Sequence, residues 1–484
     1  MNKMDKKIIS KFKANGLLVS PSVIKRIDNV DEFLNFIKSK EEKPTVITDE
    51  IYNEFINKKN EKKKPIQLPK NFKSIKIIKN FMLNNEKIDI NNWVSYYNSR
   101  YNKFKDLLMN RPELNGLVQI SKIQKSDLKK VSIIGLVKDV HETSTGNIVA
   151  ELEDPTGTIR VIFSKNKEIF RKAEEIVEDE VIGVTGSKRG NFLFAENFIF
   201  PDVPEREIKK SPHEGYAVFI ADTHIGSKMF LEDEFNKFIK WISGEMGNEK
   251  QKEISKKVKY LFIVGDLVDG VGIYPNQEKE LAITDIYEQY EVFAKYISKI
   301  PKDISIIICP GNHDAVKMSE PQPPLYEEFA KPLQKLPNVI LVSNPSVVNI
   351  HSSPDFPGFD VLLYHGCSFN YYASNIPKLR EGYKKPEIIL EFLLRKRHLA
   401  PTHGSTRISP TKEDFLIIDK IPDIFASADL HKARIGKYKN ILTLCCSCFQ
   451  GRTSFQERMN HFPDPGYVPI VNLKTRETKM LKFS

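Results

Sequence analysis

Lys259-Tyr-Leu-Phe-Ile-Val264, followed at once by Gly265-Asp266-Leu267-Val268-Asp269, decides the architecture of this chain. An apolar run without alternation is a strand buried on both faces, the mark of an internal strand in a layered sheet. The glycine lets the backbone turn tightly, and the carboxylates then fall at the strand's carboxyl end. The same arrangement recurs around it. Tyr216 to Ala221 precedes Asp222-Thr223-His224, Ile304 to Ile308 precedes Gly311-Asn312-His313-Asp314, and Val361 to Tyr364 precedes His365-Gly366. Stretches of helical period, Phe230 to Ile242 and Ile283 to Ile297, separate the first strands. Strands alternating with helices predict an α/β layered domain, and in open sheets of this kind the ligand crevice lies at the carboxyl edge. Residues far apart in sequence are therefore expected to converge there.

Working outward, the period changes. Val131–Val140, Ile148–Leu152, Thr158–Phe163, Glu180–Thr185 and Phe192–Phe198 are five strand-like runs. Turn signals divide them, including Thr145-Gly146 and Asp154-Pro155-Thr156-Gly157, and a partly helical stretch, Lys167 to Val177, falls between the third and fourth. Five short strands with that helix suit an OB-fold β-barrel. Such barrels bind single strands or dock partner proteins, and the sequence does not choose between them. Trp93, Tyr97, Tyr101, Phe104 and Leu108 place one apolar stripe on a helix that stops before Pro112. The predicted organisation is multidomain. It has a small helical N-terminal module (1–55), a basic flexible linker (56–75), a helical connector (76–129), the barrel (130–204) and the α/β domain (205–484). Pro201 to Pro212 reads as the hinge before the last of these.

The chain has 484 residues, too many for one ordinary core. Its net charge of +11 favours polyanionic partners, nucleic acid foremost, through counterion release. The five cysteines, Cys309, Cys367, Cys445, Cys446 and Cys448, lack the spacing of a disulfide framework or a zinc site. They read as packing residues in a reducing cytoplasm. The N-terminus shows no signal-peptide pattern and no segment is long and apolar enough for a membrane. A cytoplasmic, nucleoid-associated protein is expected.

Carboxylate, imidazole and amide side chains after successive strands are the mixture that holds a pair of divalent metals. A single aspartate after a strand is as well explained by a turn, and a single histidine by ordinary burial. Four such clusters in order are not. Ala221-Asp222-Thr223-His224, Gly265-Asp266-x-x-Asp269, Gly311-Asn312-His313-Asp314 and Tyr364-His365-Gly366 resemble the motifs of the calcineurin-like metallophosphoesterases, whose domain is a two-sheet α/β layer. The resemblance implies one metal on Asp222, His224, Asp266 and His431, and a second on Asp266, Asn312, His365 and one further ligand, with Asp266 bridging. It makes His313 and Asp266 the catalytic pair, His313 acting on the leaving oxygen, and gives Asp269 and Asp314 the task of orienting ligands. The family closes on Gly-His-x-His. Here the run is Ala428-Asp429-Leu430-His431, so Asp429 replaces a histidine, a change that favours harder ions. Manganese is the favoured metal, with zinc, iron or magnesium as alternatives. His403 and Arg407 are candidate substrate contacts on a loop that reads equally well as plain surface.

The order of helical module, linker, barrel with Glu153-Asp154-Pro155-Thr156-Gly157, and phosphoesterase motifs resembles the small-subunit family of archaeal D-family DNA polymerases. That resemblance implies a 3′→5′ proofreading exonuclease and accessory subunit. Its implied partners are a large catalytic polymerase subunit, DNA and the sliding clamp. Two alternatives stand beside it: an assembly subunit whose site has degenerated, suggested by Ala428 and Asp429, and a stand-alone phosphatase or phosphodiesterase.

Overall fold

The computed structural model describes residues 3–24, 27, 30–40, 44–49, 51–55, 75–83, 88–124 and 130–483. The expected linker at 56–75 lies outside these, save its last residue. The chain divides into two compact units, 1–71 and 72–484.

In the first unit the helix Lys3–Ala14 precedes β1 (Leu18–Val19), and the helix Val30–Lys38 lies between β1 and its parallel partner β2 (Val46–Ile47). Phe33, Leu34 and Ile37 face inward at helical spacing and meet Phe12, Tyr52 and Phe55. The rings of Phe33 and Phe55 lie 4.8 Å apart.

The second unit opens with a finding that the sequence did not suggest. Lys76–Asn80, expected in the helical connector, is a strand (β3) paired antiparallel with a strand more than 260 residues away. Its apolar residues are too few and too short a run to declare themselves. The helix Ile90–Leu108 follows, capped by Asp89, whose carboxylate accepts from Asn91 and Asn92 N–H groups. Its buried face is Tyr96, Arg100, Tyr101, Phe104 and Leu108, while Trp93 and Tyr97 are only half-buried. An arginine thus occupies the stripe that aromatic spacing assigned to Trp93 and Tyr97.

The five strand runs form a closed barrel, β4 (Lys130–Glu142), β5 (Ile148–Asp154), β6 (Gly157–Phe163), β7 (Val181–Arg189) and β8 (Phe192–Ile199), in the order β4-β5-β6-β8-β7. Alternate residues such as Ile133, Val161, Ile182 and Leu193 fill it. A short helix, Phe170–Ala173, lies between β6 and β7. Gly186 is required where β7 crosses β8, since a Cβ there would sit 2.4 Å from the Phe194 carbonyl oxygen.

Two six-stranded sheets make up the rest. One has β9 (Tyr216–Ile220), β10 (Val258–Val264), β11 (Ser305–Cys309) and β12 (Val339–Leu341) in parallel, with β18 (Tyr467–Asn472) and β19 (Thr478–Lys482) added antiparallel. The other orders β16 (Arg434–Tyr438), β17 (Ile441–Cys445), β15 (Ile424–Ser427), β14 (Phe359–Leu363), β13 (Ser346–Ile350) and β3. Val218, Ile220, Leu261 and Ile263 pack on the helices Glu232–Ile242 and Ile286–Ile297. Their neighbours in the strands, Ala217, Phe219 and Phe262, are equally buried, so the sheet is covered on both faces. Residues 201–212 are not a free hinge. Arg206 and Lys209 each pair with the buried Asp423 at 2.9 Å, and Asp202 of the segment is held by Lys439 of the β16–β17 turn, so charges of both signs tie it to the second sheet.

The five cysteines are free thiols, four of them buried. No described helix is long and apolar enough to cross a membrane.

Candidate metal centre

The carboxyl ends of β9, β10 and β11 share one edge of the first sheet, and His365 reaches it from the end of β14. Its Nδ1 lies 2.8 Å from the Val264 carbonyl oxygen. That contact fixes the tautomer of the neutral ring: Nδ1–H donates, which leaves the lone pair to Nε2. His224 is set the same way by the Asp269 carboxylate, 3.0 Å from its Nδ1, and His313 by the Asp269 carbonyl oxygen at 2.8 Å. In three histidines, then, the chain spends Nδ1 on a fixed acceptor and turns Nε2 to the centre.

At that centre is Asp266. Its Oδ1 accepts from the His313 N–H at 2.8 Å, while its Oδ2 lies 3.3 Å from His365 Nε2 and 3.8 Å from His224 Nε2. Asp222, His224 and His431 offer ligand atoms within 4.8 Å of one another, and so do Asp222, Asp266 and His365. The Nε2 atoms of His224 and His431 lie 3.2 Å apart. The Asp429 carboxylate stands 3.8 Å from His365 Nε2 and accepts from Asn370 Nδ2 at 3.1 Å. Asn312 belongs to the turn after β11 with Gly311 and His313, and its Oδ1 is buried without a partner.

Three buried polar atoms at this edge lack any hydrogen-bond partner: Asp222 Oδ1, Asn312 Oδ1 and His365 Nε2. An unpaired buried polar atom costs about 1–3 kcal/mol, and two of these, Asp222 Oδ1 and His365 Nε2, lie 3.9 Å apart beside Asp266. Divalent cations would satisfy them, so the donors fit the implied metals. The backbone is strained to the same end. Asp222, His224, Asp266, Asp429 and His431 all have φ between 46° and 67°, where non-glycine residues are rare. Gly311 is obligatory, because a Cβ would sit 2.2 Å from Asp266 Oδ1.

Without cations the charges must balance among themselves. Burial pushes Asp222 well above the ordinary carboxylate range. Burial acts on Asp266 too, but the His365, His313 and His224 imidazoles outweigh it and hold Asp266 below that range. Burial lowers His365, yet Asp266, Asp222 and Asp429 together raise it well above a free imidazole. Burial and the neighbouring His224 push His431 well below. Burial lifts Asp429 to about 6 and Asp314 to about 7.

Asp269 and Asp314 stand behind the cluster. Asp269 holds His224 and is itself held by Gln277 Nε2 and Gln450 Nε2, at 3.1 and 2.9 Å. Asp314 accepts from the Gly311 N–H at 2.8 Å and from Tyr290 OH at 3.0 Å. His403 and Arg407 lie among other neighbours. The His403 ring meets Trp93 edge-on at 5.0 Å and its N–H donates to Asp179, while Arg407 contacts Met318 Sδ. Sequence reasoning missed Gln277, Gln450, Gln456, which lies 3.0 Å from His431 Nδ1, and Asn344, which accepts from the His365 N–H at 2.9 Å. Nothing in a lone glutamine or asparagine signals such a task.

Relatives of this chain cover nearly its whole length. The DNA polymerase alpha/epsilon B-subunit family matches residues 217–435, and an OB-fold nucleic acid binding domain matches 131–191. The DNA polymerase II small subunit of Methanothermobacter thermautotrophicus is 39% identical, covering 99% of each chain. That of Archaeoglobus fulgidus is 40% identical over 79% of this chain and 75% of its own. That of Pyrococcus horikoshii is 40% identical over 81% of this chain and 62% of its own.

Proposed function

Because the chain belongs to the DNA polymerase II small-subunit family, we propose that this accessory subunit of a DNA polymerase complex is also its 3′→5′ exonuclease. In this reading the two-sheet domain is a metallophosphoesterase, and it trims DNA ends for a separate large catalytic subunit. The observation that carries it is the pair of unpartnered buried atoms Asp222 Oδ1 and His365 Nε2 beside the Asp266 carboxylate, with Asn312 Oδ1 unpartnered in the turn whose His313 N–H donates to Asp266. Asp222, His224, Asp266 and His431 would hold one divalent cation, and Asp266, Asn312, His365 and Asp429 the other, manganese being favoured. Such a pair supplies Lewis-acid polarisation of a phosphodiester and of water. The chain does the rest. Asp266 offers Oδ2 between two imidazoles, so one carboxylate serves both positions. His313 is pressed by burial to lose its proton, but Asp266 and Asp269 outweigh this and raise its pKa. In this reading it gives a proton to a leaving 3′ oxygen. The sliding clamp stays a proposed partner on the family resemblance alone.

The test uses the full chain, with and without the large subunit, given manganese and 5′-labelled single-stranded and 3′-mismatched DNA. A ladder of shortened products is expected. Asp266→Ala should lose it by more than about a hundredfold, beyond the range reached by groups that only orient ligands, while the melting transition persists. The absence of any ladder removes the reading. A second reading, an assembly subunit with a degenerate site, is favoured by Ala428-Asp429 in place of Gly-His. Manganese calorimetry separates the two: two tight sites speak for the enzyme, none for assembly. Family membership leaves the stand-alone phosphatase without a supporting observation.

A further inference from the structure

Residues 452–462 are clamped onto the arm that carries His431. Thr453 caps the helix Ser454–Arg458, and its hydroxyl and the Gln456 side chain exchange hydrogen bonds with each other's backbone N–H. This fixes Gln456, whose Nε2 lies 3.0 Å from His431 Nδ1. At the far end His461 Nε2 lies 2.9 Å from the Leu430 carbonyl oxygen, and Arg452 Nε donates to the His461 carbonyl oxygen at 2.7 Å. With Gln456 turned in, Phe455 and Met459 stand one turn apart on a face turned out. They are 53% and 65% exposed, and Phe462 is 55% exposed.

Isolated exposed apolar side chains need no explanation. Three of them within eight residues, on a segment anchored beside His431, do. Their cationic company points to the occupant. The Arg452 guanidinium lies 4.0 Å over the Phe462 ring. Arg458 stands in the last turn of the helix Ser454–Arg458. Aromatic faces interleaved with arginines, on a segment anchored beside a centre that the exonuclease reading gives to DNA, are a surface for unpaired bases and their phosphates.

We propose that residues 452–462 form the base-binding rim of the centre, where the last bases of a single-stranded DNA 3′ end stack on Phe455 and Phe462 while Arg452 and Arg458 take the phosphates. This rests on the exonuclease reading for the bond that is cut. Stacking needs an unpaired base, so the rim favours frayed or mismatched ends over paired ones.

The experiment measures binding of a 5′-fluorescein oligothymidylate to the full chain by anisotropy in EDTA, where no cleavage occurs. The double variant Phe455→Ala/Phe462→Ala is expected to bind at least about tenfold more weakly, and Phe455→Tyr/Phe462→Tyr to restore the affinity. Wild-type affinity in the alanine pair overturns the proposal. So does failure of the tyrosine pair to restore it, or a loss confined to large-subunit binding, which would reassign the face to protein contact. The exonuclease reading fails by a different result, the absence of manganese-dependent cleavage by the unaltered chain.

Discussion

Glu320 shows how a single residue couples the centre to its surroundings. It is fully buried, accepts from Tyr364 OH at 3.1 Å and from Asn344 Nδ2 at 3.3 Å, and sits one contact behind His365. Burial lifts its carboxyl to about 7. A carboxyl raised above its unfolded value contributes stability that is fully present below about 4.5 and lost as pH rises to about 7. Glu320→Gln keeps the shape of the neutral acid and cannot ionise. In EDTA, the variant's advantage in unfolding free energy should therefore grow from near zero at acid pH to on the order of 3 kcal/mol above pH 7. Urea denaturation across that range measures it, and a pH-independent difference would show that Glu320 is held as a carboxylate. The residues proposed to hold metal were legible as a cluster because they follow apolar strands: Asp222, His224, Asp266, His365 and His431 lie close together at one edge. The glutamines and Asn344 behind them were not, since an amide at the right distance is a property of the fold and leaves no local pattern.

At the scale of the element, the helix Ile90–Leu108 carries a buried ion pair where aromatic packing was expected. Arg100 Nε is 2.6 Å from Asp414 Oδ2, and the same oxygen lies 2.7 Å from His398 Nε2. Arg100 Nη1 also donates to the Pro401 carbonyl oxygen and to that of Asp179, so one guanidinium ties the helix to the barrel and to the loop before Asp414. Burial raises Asp414, but Arg100 and His398 outweigh this and hold it low; burial lowers His398 to about 4. Removing one partner of such a pair strands the other in a dry interior. Arg100→Met should cost about 3–5 kcal/mol, read as a shift in the denaturant midpoint, and Arg100→Met/Asp414→Leu should recover much of it. Equal stability of Arg100→Met and the unaltered chain would show the pair to be solvated. The barrel strands and the helices at 232–242 and 286–297 were legible because their periods are long and clean. The strand β3 was not. Five residues that are half polar gain their partner only when β13, far along the chain, is already in its sheet.

At the scale of the whole molecule, the excess of eleven positive charges and the rim beside His431 predict different signatures on one measurement. Charge neutralised at phosphates releases counterions, so affinity for a single strand falls with salt, the logarithmic slope changing by roughly 0.7 for each phosphate contact. Stacking on an aromatic ring releases none and leaves the slope alone. If Arg452 and Arg458 each hold one phosphate, Arg452→Ala/Arg458→Ala should weaken binding of an oligothymidylate and flatten the salt slope by about 1.4. Phe455→Ala/Phe462→Ala should lower the affinity at every salt concentration along a parallel line. Whatever slope survives in the arginine pair belongs to the general cationic surface, which holds DNA without placing its end. Anisotropy titrations between about 50 and 200 mM salt separate these contributions, because over that range several phosphate contacts change affinity by orders of magnitude. An unchanged slope in the arginine variant would leave the net charge as a means of concentrating DNA near the chain and deny the rim its grip on the backbone.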